Sequence, residues 1–493
     1  MASRSNRHEH HEACDSSGVR SSDARVRKGT PEMTTMDRRS FMRGAALAGG
    51  SFALAGPLEA FAARAQSGAR ATAAGYGPLR PMGDLALPAD FSYKIISRSG
   101  QPMTDGSPTP TAFDGMAAFP GPDGTTVLIR NHENRRLADD VEGTEIPVVV
   151  PPELRYDRNP GINGGNTKLV VGPDLSLQRD FAVLGGTTVN CAGGQMPWGS
   201  WIACEEAFET TGDTREHGYI FEIDASAEGP VAAVPVRGAG RFVHEAVAWL
   251  DGVLYLTEDQ RVKKPNPEDP KSPYPGPGSC FYRYLPPASP QKPGDLAAGR
   301  GRLQALAVRG RRRFDMDRVT NGRSLPVAWI DIANPEPSRD TVRVEALRKG
   351  AAEFDREEGM WVVGGRVYFD CTEGGPNNLG QVWEYDPRRA QIRLVYHSES
   401  KRELEGPDNL TVVPATGDLF LCEDADPPQY VRGLTTDGRI YDVARSLANN
   451  TEFCGACFSP DGATLFVNQQ GDLLKQPGVT YAIRGPWPRR DPR

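Results

Sequence analysis

Apolar and polar residues alternate in short runs along the chain, and one such run recurs with the same design. Its clearest copy, GDLFLCED at 417–424, has a turn glycine, an alternating apolar segment and two acids where the segment ends. Comparable copies are GVLYLTED at 252–259, GSWIACEE at 199–206 and GRVYFDCTE at 365–373, with looser ones in GTTVLIRNHE at 124–133 and GATLFVNQQ at 462–470. Recurring units of this kind, about six here, are typical of a repeat architecture.

Each copy has apolar neighbours that extend it into a small sheet. An apolar run precedes it, as in AVAWLDG and GMWVVGG, and a strand-like run follows most copies, as in HGYIFEID, QVWEYDP and GRIYDVA. Two strands joined by a tight glycine turn predict a hairpin, and a third strand completes a small antiparallel sheet. About six such sheets in one chain predict an all-β fold, a six-bladed β-propeller over residues 89–493.

The copies place acids at equivalent strand ends, which in a propeller meet at the mouth of the channel. A single strand-end acid is usually a solvated turn residue. Several acids crowded at one mouth would repel each other unless cations were present, so the recurrence favours a metal site. The residues concerned are Glu133, Glu205, Glu206, Glu258, Asp259, Glu373, Glu423 and Asp424.

The available ligand types narrow the choice of metal. Carboxylate and amide oxygens suit Ca²⁺, Mg²⁺, Mn²⁺ or ferric iron. Cys204 lies beside two acids at a strand end, where a thiolate would favour a transition metal. A zinc site built from histidines has little support, because after the N-terminal segment the histidines are His132, His217, His244 and His397.

Composition fits a soluble globular protein and disfavours one class of partner. Of 493 residues, 25% are charged and 38% are hydrophobic. The net charge of -7 gives no electrostatic support to nucleic-acid binding. An anionic substrate would also be repelled unless metals or arginines reversed the charge locally.

The N-terminal residues predict export. Arg38 and Arg39 precede an Ala/Gly-rich apolar run at 45–55, and ARA at 63–65 supplies the small residues of a cleavage site. This pattern resembles a twin-arginine signal peptide, because the apolar run is shorter than the roughly 20 residues of a membrane span. We expect residues 1–65 to direct export through the twin-arginine machinery and residues 66–88 to be a linker. The mature protein is then periplasmic or secreted, a monomer, and without a stable membrane span.

One cysteine pair has a spacing used in redox sites. Cys454 and Cys457 form CGAC ahead of a predicted strand, in a segment that we expect to be a loop. That context differs from the strand-to-helix turn of thioredoxin-like sites. A buried pair or a local disulfide is therefore expected.

Six strings taken together resemble the PhoX family of bacterial alkaline phosphatases. They are NHE at 131–133, WGSWIACEE at 198–206, RFVHE at 241–245, R-x-E at 356–358, PDNL at 407–410 and FCGACFSPDGATLFVNQQ at 453–470. The strings occur in order over nearly all of the mature chain. The resemblance implies a six-bladed propeller whose channel mouth holds two ferric ions and calcium ions, and an enzyme that hydrolyses phosphate esters.

The resemblance also implies roles for individual residues. Cys204 corresponds to the family's iron-binding cysteine, Glu358 to a metal-binding glutamate and Arg356 to the arginine that contacts phosphate. The implied further ligands are Glu245 and Asp424, and the implied calcium ligands are Asn131, Glu133, Glu205 and Glu206. The expected ligand set is completed by the strand-end acids Glu258, Asp259 and Glu423 and by Asp408 of PDNL.

The first functional hypothesis is therefore an exported, metal-dependent phosphatase that acts on small-molecule phosphate esters, with Arg356 and Glu358 as catalytic residues. Such esters hydrolyse very slowly unaided, and metal ions neutralise their phosphoryl oxygens. One alternative is a calcium-dependent lactonase or esterase propeller, which needs a single Ca²⁺ held by about four side chains. Another is a non-enzymatic binding propeller with structural metals. Bound iron would separate the first hypothesis from the other two.

Overall fold

A computed structural model describes residues 75–135, 145–208, 214–261, 277–435, 438–471 and 476–489. These residues form twenty-six strands and one α-helix, α1 (Val342–Lys349). The strands are β1 (Arg80–Pro81), β2 (Leu85–Leu87), β3 (Ser92–Arg98), β4 (Phe113–Pro120), β5 (Thr126–His132), β6 (Gly164–Val171), β7 (Leu177–Thr187), β8 (Asn190–Met196), β9 (Ser200–Glu205), β10 (Ile220–Asp224), β11 (His244–Leu250), β12 (Val253–Glu258), β13 (Tyr282–Leu285), β14 (Arg302–Val308), β15 (Ser324–Asp331), β16 (Glu357–Val363), β17 (Arg366–Cys371), β18 (Gln381–Asp386), β19 (Gln391–His397), β20 (Pro407–Val412), β21 (Leu419–Glu423), β22 (Tyr430–Leu434), β23 (Ile440–Ser446), β24 (Phe453–Phe458), β25 (Thr464–Gln469) and β26 (Val479–Arg484).

The strands form antiparallel sheets in a propeller-like, all-β fold, which confirms the predicted class. The five sheets have the strand orders β4-β5-β6-β7, β10-β9-β8, β11-β12-β13-β14-β15-β19-β18-β17-β16, β1-β2-β23-β22-β21-β20 and β24-β25-β26-β3. The segment GRIYDVA, which the sequence suggests as a third strand, contributes to β23 and follows an additional strand, β22. That additional strand contains Arg432 and Gly433, which interrupt its apolar pattern.

The six recurring sequence copies are the second strands of six hairpins. The hairpins are β4–β5, β8–β9, β11–β12, β16–β17, β20–β21 and β24–β25. In each one the first residue of the first strand pairs with the second strand, and a bulge soon afterwards shifts the register. In β11–β12, for example, His244 pairs with Glu258 and the next pair is Val247 with Leu256. In five hairpins the bulge takes the second residue of the first strand out of the regular ladder, whereas in β24–β25 Cys454 pairs with Asn468 before the bulge.

The first strands of these hairpins, here called the inner strands, lie against one another. β4 contacts β8, and the contacts continue through β11, β16, β20 and β24 back to β4. The approach is close enough to require glycine. A side chain at Gly359 would meet the Cα atom of Asn409 at 2.7 Å, and Gly455 has a φ of 58° beside the carbonyl oxygen of Asp114.

The segment before the first inner strand is built into the sheets, which corrects part of the predicted linker. Residues 66–74 lie outside the described residues, but β2 pairs with β23 and β3 pairs with β26. Leu85 and Leu87 are fully buried in an apolar core cluster. This short apolar stretch inside a Pro/Gly-rich segment therefore binds the outer edge of one sheet.

The CGAC segment also differs from expectation. Cys454 and Cys457 lie on inner strand β24 rather than in a loop, and both are buried free thiols. The expected buried pair is confirmed, and the alternative of a local disulfide is wrong. Within the described part of the chain, no helix is both long and apolar enough to cross a membrane.

Candidate metal centre

The second residues of the inner strands form a ring at one end of these strands. Each one follows a first residue that pairs with the second strand, so all six have the same place in the register. Five are buried and one, Asp408, is half-buried. The ring, here called the inner ring, consists of Asp114, Cys191, Glu245, Glu358, Asp408 and Cys454.

Among the described residues, members of the inner ring form three groups, two of which include acids from neighbouring segments. In each group, one possible ligand atom per residue lies within 4.8 Å of the others. We call them the cysteine site (Cys191, Glu206 and Glu245), the arginine-side site (Glu245, Glu358 and Asp408) and the outer site (Asp114, Glu133 and Glu452). Together they form the central cluster. Glu245 belongs to two of the sites, so a metal in one would share a ligand residue with a metal in the other.

Burial and mutual repulsion make the central cluster a poor place for uncompensated carboxylates. Burial raises the pKa of Glu245 well above its usual range, and the charges of Glu206 and Asp408 raise it further. Burial also raises the pKa of Asp114 well above its usual range, and its Oδ1 has no hydrogen-bond partner. Cations would reverse these effects, because they favour the ionised form of every carboxyl group around them. The donor set therefore fits metal ions.

The thiol in the cluster belongs to Cys191 rather than to Cys204. Burial raises the pKa of the Cys191 thiol well above its usual range, and the charges of Glu245 and Glu206 raise it further. Its sulphur lies 3.4 Å from the carbonyl oxygen of His244. Cys204 lies on the adjacent strand β9, fully buried and outside the three sites.

Three of the expected ligands are already bound to other groups. Glu205 accepts a hydrogen bond from the N–H of Gly218 at 2.9 Å and contacts Nδ1 of His217 at 2.7 Å. Glu258 accepts from the Tyr282 hydroxyl at 2.8 Å and lies 3.2 Å from NH1 of Arg343 on α1.

Glu423 follows the same pattern. It accepts from Nε of Arg432 at 2.8 Å and from the N–H of Glu405 at 3.2 Å. All three glutamates are buried. The structure therefore places Glu205, Glu258 and Glu423 outside the three sites and gives each one protein partners.

The residue after each of these glutamates lies on the side of the central cluster. Glu206 joins the cysteine site, and Glu133, at the equivalent position after His132, joins the outer site. Asp424 is exposed and lies outside the three sites. Burial raises the pKa of Glu452 well above its usual range, and the charge of Asp424 raises it further. Asp259 is also outside the sites and contacts Arg356.

Asn131, an expected calcium ligand, lies on second strand β5 and instead binds the neighbouring inner strand β8. Its Nδ2 donates to the carbonyl oxygens of Cys191 and Ala192, both at 2.7 Å, and its Oδ1 accepts from Nε1 of Trp201 at 2.8 Å. The equivalent residues of two other second strands behave alike. Thr257 donates to the Glu358 carbonyl and Asn468 donates to the Asp114 carbonyl, each at 2.7 Å. These donors fix the carbonyl groups of inner-ring residues and so fix their orientation.

Arg356 brings positive charge to the cluster. Its NH2 lies 2.9 Å from Oε1 of Glu358, and its Nε lies 3.0 Å from Oδ1 of Asp259. The side chain is 20% exposed, so one part of the guanidinium faces solvent. The expected catalytic pair, Arg356 and Glu358, is thus brought together at the arginine-side site.

Sequence reasoning missed three members of the central cluster: Asp114, Cys191 and Glu452. A usable signal exists in the inner strands themselves. FDGMAAF, NCAGGQM, HEAVAWL, EEGMWVV, PDNLTVV and FCGACFS share an acid or cysteine at the second position, followed by apolar and small residues. Comparing these runs with each other would have placed Asp114 and Cys191 beside Glu245. Glu452 has no such signal, because it precedes its inner strand.

Comparison with known proteins identifies the family. The family model of alkaline phosphatase PhoX matches residues 74–472. A solved structure with a similar fold is Pseudomonas fluorescens PhoX in complex with vanadate, a transition state analogue; the sequences are 17% identical, the match covers 84% of this chain and 98% of that one, and the TM-score is 0.60. A gluconolactonase from Xanthomonas campestris, XC5397, matches with 14% identity over 83% of this chain and 99% of that one, at a TM-score of 0.39.

These comparisons differ in what they support. The likeness to the Pseudomonas structure shows the fold alone. The TM-score of the lactonase match is too low to support a shared function. No curated protein sequence matches. The family match stands on its own, because it spans well over half of the 493 residues. The chain therefore belongs to the alkaline phosphatase PhoX family of hydrolases.

Proposed function

We propose that this protein is an exported, metal-dependent phosphatase that hydrolyses phosphate monoesters at the central cluster. One observation carries the proposal: Glu245 belongs to both the cysteine site and the arginine-side site, and Arg356 lies beside the second of these. Two ions that share one ligand residue would lie close enough to act on one phosphoryl group. An adjacent arginine is suited to the oxygens of that group.

The donor types support ferric iron and calcium as the resident ions. The cysteine site, with one thiol and two carboxylates, suits a transition metal such as ferric iron. The arginine-side site would hold the second ferric ion. The outer site offers only carboxylate oxygens, which suit Ca²⁺. When bound, these ions would supply the positive charge that phosphoryl transfer needs.

The chain's own residues would bind and orient the ester. Arg356 would donate hydrogen bonds to phosphoryl oxygens. Glu358 is held at two points, since its Oε1 lies 2.9 Å from NH2 of Arg356 and accepts from Oγ1 of Thr372 at 3.1 Å. The buried inner ring keeps bulk water away from the carboxylates and so strengthens their interaction with cations.

The proposal includes six blades and export. The six hairpins and the closed cycle of contacts among the inner strands support a count of six. The twin-arginine signal at 1–65 lies outside the described residues, so periplasmic or secreted location rests on the sequence pattern. Passage through the twin-arginine machinery suits a protein that acquires its metals while folding in the cytoplasm.

Metal analysis and hydrolysis measured on one purified sample test the proposal. We expect about two irons, with calcium, per chain. We also expect hydrolysis of 4-nitrophenyl phosphate that exceeds hydrolysis of bis(4-nitrophenyl) phosphate and is lost on chelation. Calcium alone without phosphatase activity would overturn the proposal in favour of a lactonase or a binding propeller.

A pair of cysteine variants tests the assignment of the thiol. Cys191→Ser should lose iron, because the hydroxyl of serine is a poor substitute for a thiolate ligand. Cys204→Ser is the matched control, since it places the same change in the buried core next to the site. Iron loss in Cys204→Ser with full iron in Cys191→Ser would return the ligand role to Cys204.

A further inference from the structure

We propose that Asp259 is a positioning residue that holds the Arg356 guanidinium at the arginine-side site, rather than a metal ligand. The inference rests on the proposed function, because it assigns Arg356 to phosphate binding. It concerns a residue that the strand-end pattern alone would place among the ligands. Its support comes from the side chains, the backbone and the hydrogen-bond count of the arginine.

The two side chains form a fork. Nε of Arg356 lies 3.0 Å from Oδ1 and 3.2 Å from Oδ2 of Asp259, and NH2 lies 3.0 Å from Oδ2. Both oxygens of the carboxylate are thereby directed to the arginine. Asp259 is 8% exposed, so this charged pair is largely shielded from water. Paired hydrogen bonds of this kind fix the plane of a guanidinium.

The backbone of Arg356 is held from the same place. Its φ is 53°, a left-handed conformation that is uncommon for residues other than glycine. Its N–H donates to the carbonyl of Gln260, the residue after Asp259, at 3.1 Å, and its carbonyl accepts from the N–H of Thr372 at 2.9 Å. Such a conformation is strained and persists where the surroundings impose it. The end of β12 therefore fixes both the main chain and the side chain of Arg356.

The hydrogen-bond count shows what remains for a ligand. A guanidinium has five N–H donors. The fork uses the one on Nε and one on NH2, and NH2 also lies 2.9 Å from Oε1 of Glu358. NH1 lies 3.9 Å from Oε1 of Glu373, which is beyond hydrogen-bond distance. Both hydrogens on NH1 are thus directed away from the fork and are available to phosphoryl oxygens.

The test is a comparison of Asp259→Asn with the wild type, using the metal-loaded exported protein. The amide keeps the size of the side chain but replaces one acceptor by a donor that faces the arginine, which breaks the fork. We expect unchanged metal content. We also expect KM for 4-nitrophenyl phosphate and the inhibition constant of inorganic phosphate to rise roughly tenfold, with a smaller change in kcat, as for loss of one charge-assisted bond.

Further variants separate positioning from general damage. Arg356→Lys keeps the charge and cannot form the fork, so adding Asp259→Asn to it should raise KM little further. Asp84→Asn is the matched control, because it removes a half-buried carboxylate that pairs with Arg98 of β3 at 2.7 Å, outside the central cluster. It should leave KM unchanged.

Three outcomes would overturn the inference. They are loss of metal in Asp259→Asn, unchanged KM and phosphate inhibition in that variant, or fully additive effects in the double variant. If the wild type holds metal but hydrolyses no phosphate ester, the proposed function fails first and the role of Asp259 falls with it. An active wild type with an unaffected Asp259→Asn variant refutes the positioning role alone.

Discussion

Two neighbouring residues at the ends of several second strands have different surroundings. In β9, Glu205 is bound by His217 and backbone N–H groups, whereas Glu206 lies in the cysteine site. At the end of β12, Glu258 is bound by Arg343 and Tyr282, whereas Asp259 contacts Arg356 beside the central cluster. Successive side chains of a strand point to opposite faces, so adjacent acids reach different partners.

The comparison shows that the surrounding groups, rather than residue type, separate a structural acid from a candidate ligand. The first residue of each pair finds an arginine, a histidine or N–H donors within the protein. The second faces the central cluster, and where an arginine also reaches it, as Arg356 reaches Asp259 and Arg135 reaches Glu133, that arginine is partly exposed. Even where the first residue is a histidine the division holds, because His132 contacts the Thr111 carbonyl and the Thr167 hydroxyl, both at 2.8 Å, and Glu133 joins the outer site.

The largest effect is expected at the residue that two sites share. Glu245→Gln removes a negative charge from both the cysteine site and the arginine-side site. Activity with 4-nitrophenyl phosphate should fall ~10²-fold or more, since an electrostatic contact to the reacting centre is lost. Elemental analysis should show loss of metal in the same sample. Full metal content and activity would show that the inner ring is not the metal centre.

The second effect is a pH dependence from a structural acid. Burial raises the pKa of Glu258 to about 7, although Arg343 acts in the opposite direction. The folded state therefore keeps a proton that the unfolded state loses near its ordinary pKa of 4.5, and the free energy of unfolding falls as pH rises between these values. The full contribution of this group is about 3 kcal/mol.

Glu258→Gln provides the measurement, because glutamine resembles the protonated acid. Denaturant unfolding between pH 5 and pH 8 should show a shallower decline in stability than in the wild type. Metal content should not change. An equally steep decline in the variant would assign the pH dependence to other groups.

The next largest effect comes from making the same substitution at two neighbouring glutamates. Glu205→Gln places an amide NH₂ against the N–H groups that now donate to the carboxylate, which should lower the free energy of unfolding by about 2 kcal/mol while metal is retained. Glu206→Gln should lose metal instead. After chelation it should be at least as stable as the wild type, because it removes a repelling charge. Identical behaviour of the two variants would remove the basis of the comparison.

The smallest effect concerns the residue that precedes each pair. Asn131, Thr257 and Asn468 donate to carbonyls of inner-ring residues, but Asp370 occupies the equivalent place on β17. Burial raises the pKa of Asp370 well above its usual range, and neither of its carboxylate oxygens has a hydrogen bond of good geometry. Asp370→Asn supplies the missing donor, and thermal unfolding should show a gain of about 1 kcal/mol. The reverse change, Asn131→Asp, should be destabilising. A loss of stability in Asp370→Asn would contradict the view that Asp370 and Asn131 occupy equivalent positions.

Sequence reasoning captured the second strands because their pattern is local. A turn glycine, alternating apolar residues and terminal acids are all visible within eight or nine residues, and every copy became a second strand. The inner strands carry a similar repeat, but their bulge breaks the alternation directly after the functional position. Cys191 therefore escaped notice while Cys204, inside the clearer pattern, drew the assignment.

The partners of the acids were beyond the reach of local pattern. Arg343 is separated from Glu258 by 85 positions and reaches it from α1, which no repeat predicts. Leu85 and Leu87 were included in a linker because two leucines give too weak a signal to predict a strand. Which acid is compensated and which is not is settled by tertiary contacts, and only the structure provides them.

The most direct measurement of the central claim is anomalous X-ray diffraction from crystals of the metal-loaded exported protein. Our account predicts an iron signal within bonding distance of the Cys191 sulphur, with Glu245 carboxylate oxygens between that ion and a second one beside Glu358 and Asp408. Iron bound by Cys204, or ions only at Glu205, Glu258 and Glu423, would contradict it.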